Sequence, residues 1–195
     1  MENEIAVWNA WRSGDESSFK LMFNHYYDPL FNYGHKFTAD EFIIEEALQN
    51  LFVKLWKNRD SIGEAGSVKN YLYQSFRRLL LRSLSQNPRL QSLTDGDDKV
   101  NFMIELGHDD RIADNERLSE IKKNLESALA TLSPRQREII HLRYFEEMDY
   151  DQIAAVMDLS VASTYKLLYR AVDSLKSHFS PMELALVFSL LALSK

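Results

Sequence analysis

The sequence lacks cysteine and is poor in residues that interrupt helices. The absence of cysteine from 195 residues excludes a disulfide scaffold and a thiolate metal site, and it is typical of a reducing cytoplasm. Glycine and proline number only 6 and 4, and alternating β-branched patterns are nearly absent. Because Leu, Glu, Lys and Arg are abundant instead, the composition predicts an all-α fold.

Long apolar runs are also missing. The longest is "MELALVFSLLAL", residues 182–193, which is well short of the about 20 residues that a membrane-spanning helix needs. The first residues, "MENEIAVWNAW", carry acidic side chains where a signal peptide carries basic ones. We therefore expect a cytoplasmic protein with no direct membrane insertion.

The net charge is negative and unevenly distributed. The formal net charge is −6, and residues 91–125 alone contain nine acidic and five basic residues. Affinity for DNA depends on neutralising phosphates, so this excess of acid predicts weak DNA binding by the isolated chain. The acid is concentrated in the middle of the chain, away from the segments best suited to contact DNA.

Turn-forming and acidic residues divide the chain into two helical modules. Residues 87–118 contain Pro88 and the pair Asp95-Gly96 among many acidic residues, a composition typical of a linker. Within this stretch, the hexapeptide "NFMIEL" at 101–106 is expected to pack locally. The predicted division is a helical domain at 1–86, an acidic linker at 87–118, a helical domain at 119–180 and an apolar tail at 181–195.

Helix-start signals in the second module predict a helix-turn-helix. Ser133 and Asp149 are each followed three residues later by a glutamine, Gln136 and Gln152, which is the spacing of a capping box. The first helix of the pair is then predicted at residues 150–157, and "DLS" forms the turn. A plain helical hairpin with a solvated outer surface is the alternative interpretation.

The second helix of the pair is predicted to begin after Ser160 and to have two distinct faces. Its apolar stripe has the spacing of a buried face and comprises Val161, Tyr165, Leu168, Val172 and Leu175. Another face carries small residues followed by basic ones, namely Ala162, Ser163, Lys166 and Arg170. Small side chains let a helix approach base edges, and basic side chains contact phosphates. The pattern therefore predicts a helix that enters a groove of DNA.

A second helical pattern, "EEALQNLFVKLWKNRD", lies in the first module. Its buried stripe is predicted to comprise Ile44, Leu48, Leu51, Phe52 and Leu55. The adjacent Glu45 and Glu46 would diverge by about 100° on a helix and have no histidine at ligand spacing. We therefore predict neither a metal site nor acid–base catalysis there, and favour a solvated or protein-docking face.

A third pattern, "SVKNYLYQSFRRLLLRSL", interleaves aromatic rings with arginine. This combination suits single-stranded DNA, because unstacked bases stack on aromatic rings while arginine contacts phosphate. The alternative is that Tyr73 and Phe76 belong to the protein core.

In this order and at this separation, the three patterns resemble the extracytoplasmic-function (ECF) sigma factors of bacterial RNA polymerase, in the sigma-70 family. The resemblance covers about residues 15–180. "EEALQNLFVKLW" resembles the region 2 helix that docks on a coiled coil of the largest polymerase subunit. "VKNYLYQSFRRLLLRSL" lies where the family melts and captures the downstream promoter box. The segment from "LSPRQREII" to "RAVDSLK" resembles region 4, which binds the upstream promoter box through a helix-turn-helix.

The resemblance implies three sets of site residues. The polymerase-docking candidates are Glu46, Gln49, Asn50, Val53, Trp56 and Lys57. The candidates for the downstream box are Lys69, Tyr71, Arg77, Arg78 and Arg82. The candidates for the upstream box are Ala162, Ser163, Lys166 and Arg170, with Thr164 near phosphate.

Four positions depart from the pattern of the family. Glu46 stands where Asp is usual, Arg78 where Asn is common, and Arg82 where Asp is common. Asp158 replaces the usual glycine of the turn. Because Asp tolerates left-handed backbone better than most residues, we expect this turn to be preserved.

The resemblance implies a dissociable sigma subunit that binds core RNA polymerase and directs promoter recognition and strand opening. Promoter DNA and an anti-sigma factor are the further implied partners, and no enzyme activity, cofactor or metal is implied. The alternative is a stand-alone helix-turn-helix transcriptional regulator with a dimerisation or receiver domain in front. For the apolar tail, packing on the second module, contact with a partner protein and membrane attachment all stay open.

Overall fold

The computed structural model describes residues 3–86, 101–106 and 116–193, which form helices and their connections. Over these ranges no strand occurs. The chain separates into two compact units, residues 1–96 and 97–195. The prediction of an all-α fold with two helical domains is confirmed.

The first unit consists of helices that share one apolar core. Its helices are α1 (Glu4–Arg12), α2 (Glu16–His35), α3 (Glu41–Asn58) and α4 (Val68–Gln86). Helix α3 packs against both α2 and α4, while α1 packs mainly against α2. Tyr73 and Phe76 are both 0% exposed. For these two residues the core alternative is therefore confirmed.

Two tryptophans anchor α1 to the rest of the first unit. Trp8 and Trp11 are fully buried, with ring centroids 4.7 Å apart. The indole Nε1 of Trp8 donates a hydrogen bond to the carbonyl of Gly63 at 3.2 Å. Arg12 Nε donates to the carbonyl of Ile62 at 2.7 Å. These bonds tie α1 to the connection between α3 and α4, and burial of two large rings adds several kcal/mol in order of magnitude.

Close packing of α2 on α3 requires the absence of a side chain at Gly34. A Cβ atom there would lie 2.7 Å from Cγ2 of Ile44 and 3.1 Å from Cζ of Phe76. Both neighbours are 0% exposed, so neither has free space into which it could withdraw. Gly34 therefore sets how closely α2 approaches α3 at this end of the pair.

The helices of the second unit have the predicted start signals. They are α5 (Glu116–Thr131), α6 (Pro134–Ile140), a π-helical turn (His141–Phe145), α7 (Tyr150–Met157), α8 (Val161–Lys176) and α9 (Pro181–Leu193). Both capping boxes are present: Ser133 pairs with Gln136, and Asp149 pairs with Gln152. The predicted start of α7, and with it the helix-turn-helix, is confirmed.

The turn between α7 and α8 adopts the backbone that the sequence predicts. Asp158 has φ 58° and ψ 46°, which lies in the left-handed region. The side chain of Ser160 then accepts a hydrogen bond from the backbone amide of Ser163 at 3.1 Å. A left-handed residue followed by an N-cap reverses the chain within three residues and fixes the direction in which α8 begins.

The hexapeptide 101–106 packs on the second unit. Phe102 is 1% exposed and its ring lies 5.6 Å from the ring of His141. Arg137 Nη1 donates to Sδ of Met103 at 3.4 Å, and Leu106 is 8% exposed. The expectation of local packing is confirmed. The remainder of the predicted linker up to residue 115 lies outside the described residues.

The apolar tail forms α9, which packs against α5 and the π-helical turn. Val187 and Leu191 are both fully buried. The helix begins with a local cap, because Glu183 Oε2 accepts hydrogen bonds from the backbone amide and hydroxyl of Ser180 at 2.8 and 2.7 Å. Of the three possibilities for the tail, packing on the second unit is the one observed.

Candidate functional surfaces

The exposed side of α3 carries the predicted docking residues. Apolar residues of α3, including Ile44, Leu48, Leu51 and Leu55, are buried against the core. The opposite side of the helix is exposed and comprises Glu46, Gln49, Asn50, Val53 and Lys57, here called the docking face. Trp56 is partly exposed at its margin. The spacing of the buried residues thus leaves all six predicted side chains accessible.

An apolar groove between α2 and α3 adjoins the docking face, and sequence reasoning missed its α2 side. The groove has a volume of about 1230 Å³. Its aromatic residues include Phe19, Phe23, Phe52 and Trp56, here called the aromatic groove. Phe19 and Trp56 have ring centroids 5.0 Å apart, and those of Phe23 and Phe52 are 4.8 Å apart.

The signal for the α2 side was present in the sequence. Aromatic residues recur every four positions at Phe19, Phe23, Tyr27 and Phe31, which places a row of rings along one side of a helix. The pKa of the Tyr27 hydroxyl is raised, first by burial and then by the negative charge of Glu45. The groove is thus lined mainly by apolar rings, with the acidic Glu45 and the basic Lys57 also among its lining residues.

Helix α4 presents four of the five predicted downstream-box residues at or near its surface. Arg78 and Arg82 are exposed, whereas Lys69 and Tyr71 are partly exposed. The ammonium of Lys69 lies 5.4 Å from the ring centroid of Tyr73. The ring of Tyr71 lies 5.1 Å from that of Trp8, in an edge-to-face arrangement.

A depression between α3 and α4 brings two of these side chains, Tyr71 and Arg78, together. It has a volume of about 400 Å³, and Tyr71, Ser75 and Arg78 line it together with Lys54 of α3. Aromatic, hydroxyl and cationic groups at one small concave site are suited to an unstacked base and its phosphate. We define Lys69, Tyr71, Arg78 and Arg82 as the α4 cluster.

Arg77 does not belong with this cluster. Its side chain is 4% exposed, and its position is one turn after the buried Tyr73 on the same side of α4. Successive helical residues diverge by about 100°, so Arg78 reaches the surface while Arg77 does not. The burial of Arg77 in this conformation argues against its predicted contact with DNA.

On α8, the predicted DNA-contact residues other than Thr164 are exposed. Ala162, Ser163, Lys166 and Arg170 all lie on the outer side of the helix and are here called the promoter face. The Ser163 hydroxyl lies 2.8 Å from that of Ser160 at the start of the helix. Two small side chains in the first turn and two basic ones in the following turns match the requirements of a groove-entering helix.

Thr164 is the exception, and its burial argues against the predicted contact with phosphate. The residue is 0% exposed, and its Oγ1 donates a hydrogen bond to the carbonyl of Ser160 at 3.1 Å. The hydroxyl therefore stabilises the start of α8 from the inside.

The buried stripe of α8 is rotated relative to the prediction. Its buried residues are Thr164, Leu168, Ala171 and Leu175, whereas Val161 and Tyr165 are 38% and 52% exposed. Only Leu168 and Leu175 belong to both sets. The small side chains at 164 and 171 let α8 approach the rest of the unit closely, so the larger Tyr165 is left outside.

The described residues contain no cluster of three His, Asp or Glu side chains suited to a metal ion. Glu45 and Glu46 are both exposed on α3. Over the same ranges, no helix has the length and apolarity needed to cross a membrane.

Two family models match the chain. The sigma-70 region 2 model matches residues 22–89, and the sigma-70 region 4 model matches residues 122–175. Together they account for more than half of the 195 residues. This chain belongs to the sigma-70 family, in the ECF group. The region 2 match begins within α2 and includes α3 and α4, while the region 4 match ends within α8. Helices α1 and α9 lie outside both.

Curated relatives support the same placement over most of the chain. The ECF RNA polymerase sigma factor SigM of Bacillus subtilis is 22% identical over 159 residues, which is 82% of this chain and 93% of that protein. SigW of the same organism is 18% identical over 169 residues, 85% of this chain and 90% of SigW. The ECF RNA polymerase sigma-E factor of Haemophilus influenzae is 21% identical over 176 residues, 88% of this chain and 92% of that protein.

A solved structure, that of CnrH in complex with the cytosolic domain of CnrY, has a similar fold. It matches with a TM-score of 0.60 and 19% sequence identity, covering 90% of this chain and 96% of that chain. Sigma factors of this family are non-catalytic transcription initiation factors.

Proposed function

We propose that this sigma factor binds core RNA polymerase through α3, captures the opened downstream promoter box with α4 and reads the upstream box with α8. The protein is a sigma subunit for transcription initiation. The main support for assigning different partners to different helices is that one chain contains both sigma regions, and that each region has an exposed face of different chemistry.

The docking face is the proposed contact for the coiled coil of the polymerase. Glu46 offers a carboxylate to a basic partner residue, and Gln49 and Asn50 offer both donors and acceptors. Val53 is 42% exposed and supplies an apolar centre, while Trp56 adds a partly exposed ring of the kind enriched at protein interfaces. A helix surface with an apolar centre and a polar margin fits a helical partner.

The α4 cluster is the proposed site for the downstream box. Strand opening needs no bond chemistry in the protein, because binding energy for the unpaired strand can offset the cost of separating the bases. Tyr71 provides a ring for stacking, and Arg78 and Arg82 provide cations for the phosphates. Arg78 and Arg82 stand where the family has Asn and Asp, so these contacts involve more charge than is usual.

The promoter face is the proposed site for the upstream box. Lys166 and Arg170 lie one turn apart on the exposed side of α8, so both can reach the same stretch of duplex. The net charge of −6 limits what the protein can bind alone. Core polymerase is therefore proposed to supply most of the electrostatic attraction for DNA.

An anti-sigma factor is proposed as the regulatory partner, and the cytoplasm as the compartment. The aromatic groove supports the partner, since an amphipathic helix can place its apolar face in an apolar groove of this kind. The similarly folded CnrH was solved with the cytosolic domain of CnrY. No enzyme activity is proposed, because sigma factors of this family are non-catalytic transcription initiation factors.

Transcription reconstituted with purified core enzyme tests the proposal. Run-off transcripts from genomic promoter fragments should depend on this protein and on a duplex upstream box. Glu46→Lys combined with Gln49→Ala should reduce core binding. Glu120→Lys, the same charge reversal at an exposed position of α5, should not. Unchanged affinity of the first variant for core polymerase would show that the docking face does not contact the enzyme.

The alternative of a stand-alone regulator is not supported, because the chain contains both sigma regions. Mobility-shift assays with and without core enzyme check this point, since a sigma subunit should bind the target promoter specifically only with core polymerase present.

A further inference from the structure

Helix α8 exposes a row of large side chains beside the promoter face. Val161, Tyr165 and Tyr169 follow one another at intervals of four residues and are 38%, 52% and 72% exposed. Such spacing places them on successive turns along one side of the helix. These three residues are here called the aromatic edge. None of them is among the candidate contacts that the family resemblance supplies.

One ring of this edge is held in place although it is exposed. Tyr165 stacks on Tyr150 of α7, with ring centroids 3.8 Å apart and an interplanar angle of 18°. The guanidinium of Arg143 lies 5.5 Å from the centroid of Tyr150, and its Nη1 donates to the carbonyl of Met148 at 2.9 Å. The stack joins α7 to α8 and restricts the rotamers of Tyr165, so little entropy remains to be lost on binding.

The surroundings of the edge identify its partner. Along α8 the rings of Tyr165 and Tyr169 lie next to Lys166 and Arg170, and the small Ala162 lies in the first turn of the helix. An apolar protein partner at this surface would desolvate both cations without pairing them, which is costly. A DNA duplex offers phosphates to the cations and, within the major groove, an apolar group beside them: the C5-methyl group of thymine.

We propose that the aromatic edge selects thymine in the upstream promoter box, with the rings of Tyr165 and Tyr169 packed against C5-methyl groups. This inference rests on the proposed function and deepens it, because it names the base that the exposed helix prefers. The basic residues of the promoter face hold the helix in the groove. The aromatic edge distinguishes thymine from the other bases through a group that only thymine carries.

The methyl group provides a test that leaves hydrogen bonding unchanged. The preferred upstream box is first selected from a randomised promoter library with the full holoenzyme. Each thymine is then replaced singly by deoxyuridine, which lacks only the C5-methyl group. At one or more positions we expect the wild-type holoenzyme to bind about fourfold more weakly, the effect of exposing one methyl group.

Three variants assign this effect to the rings. Tyr165→Phe keeps the ring and removes the hydroxyl, so it should keep the full sensitivity to deoxyuridine. Tyr165→Ala and Tyr169→Ala should each abolish the sensitivity at the thymine that their ring contacts. Tyr169→Ala removes a 72% exposed side chain and should retain the wild-type thermal unfolding midpoint. Tyr165→Ala also removes the stack on Tyr150, so its midpoint should fall slightly while unfolding stays cooperative. Cooperative unfolding of both variants is the control for folding.

Three results would overturn the inference alone. The first is deoxyuridine tolerated at every thymine, and the second is a sensitivity that persists in both alanine variants. The third is a Tyr165→Phe variant that behaves like Tyr165→Ala, because the hydroxyl and not the ring would then make the contact. A wild-type holoenzyme without promoter-specific initiation would overturn the proposed function itself. The two failures are thus distinguishable.

Discussion

The docking face on α3 and the promoter face on α8 differ in what surrounds their polar side chains. Next to the docking face lies the aromatic groove, about 1230 Å³ in volume, with Phe19, Phe52 and Trp56 among its walls. The promoter face has small residues in its first turn and cations in the next, with one row of rings beside it. A surface with a large apolar concavity suits a protein partner, whereas small and cationic residues on a protruding helix suit a duplex.

This difference predicts separable losses. A docking-face variant should lose affinity for the enzyme and keep its preference among promoters. A promoter-face variant should bind the enzyme normally and lose discrimination on DNA. Variants of the two faces test whether these losses are independent.

The largest effect is expected for Glu46→Lys combined with Gln49→Ala. Two central contacts of a helix-docking interface would be removed, one by charge reversal, and truncation of such residues costs about 2–4 kcal/mol together. Fluorescence titration of core polymerase should show affinity reduced by roughly 30- to 1000-fold. Equal loss in the Glu120→Lys control would mean that net charge, and not this face, controls docking.

A smaller effect is expected for Arg170→Ala and Lys166→Ala. Each should weaken holoenzyme binding to the cognate promoter by about 1–3 kcal/mol if the contact is to a base. If the contact is to a phosphate, the salt dependence of binding should fall by about one unit instead. Promoter binding measured across a salt series distinguishes the two, and unchanged binding in both variants would contradict the assignment of α8.

Thr164→Val should affect folding and not DNA binding. Valine keeps the shape of the side chain but loses the hydrogen bond to the carbonyl of Ser160, at a cost of about 1 kcal/mol in the free energy of unfolding. Urea denaturation should detect this loss, while the salt dependence of promoter binding should stay unchanged. A change in that dependence would restore Thr164 as a phosphate contact.

The smallest effect is expected on the stability of the protein at acid pH, through the N-cap residue of α2, Asp15. Hydrogen bonds from the hydroxyl of Ser18 and then of Ser17 lower the pKa of Asp15 from 3.8 to about 2. A carboxylate with a lowered folded-state pKa contributes stability that is complete above its unfolded pKa and is lost progressively as pH falls toward 2. The advantage of wild-type protein over Asp15→Ser in urea midpoint should therefore shrink progressively between pH 5 and about pH 2. An advantage that does not change with pH would contradict this cap.

Helix starts and buried stripes of large residues could be predicted from the sequence. Ser133, Asp149 and Ser160 each have a short polar side chain before a helical pattern, and local hydrogen bonds alone are enough to fix such starts. On α3, Leu48, Leu51 and Leu55 define one side unambiguously. The exposure of Glu46, Gln49 and Lys57 could then be predicted, because these residues lie on the opposite side of the helix.

Predictions that depended on tertiary packing were the ones that needed correction. On α8 the hydrophobic pattern favours Val161 and Tyr165 as buried, but the small Thr164 and Ala171 allow closer packing and occupy the interface instead. On α4 a guanidinium is buried at Arg77 beside Tyr73, and no local pattern indicates this. The α2 side of the aromatic groove escaped prediction because rings at helical spacing are equally expected in a core.

Run-off transcription from a duplex promoter separates docking from promoter binding when the concentration of this protein is raised over fixed core enzyme. The account predicts that Glu46→Lys with Gln49→Ala shifts the curve to higher concentration and reaches the wild-type plateau, since mass action restores docking. Lys166→Ala with Arg170→Ala should keep the wild-type midpoint and lower the plateau, since promoter binding limits output. Curves that shift alike for both variants would contradict the assignment of separate partners to α3 and α8.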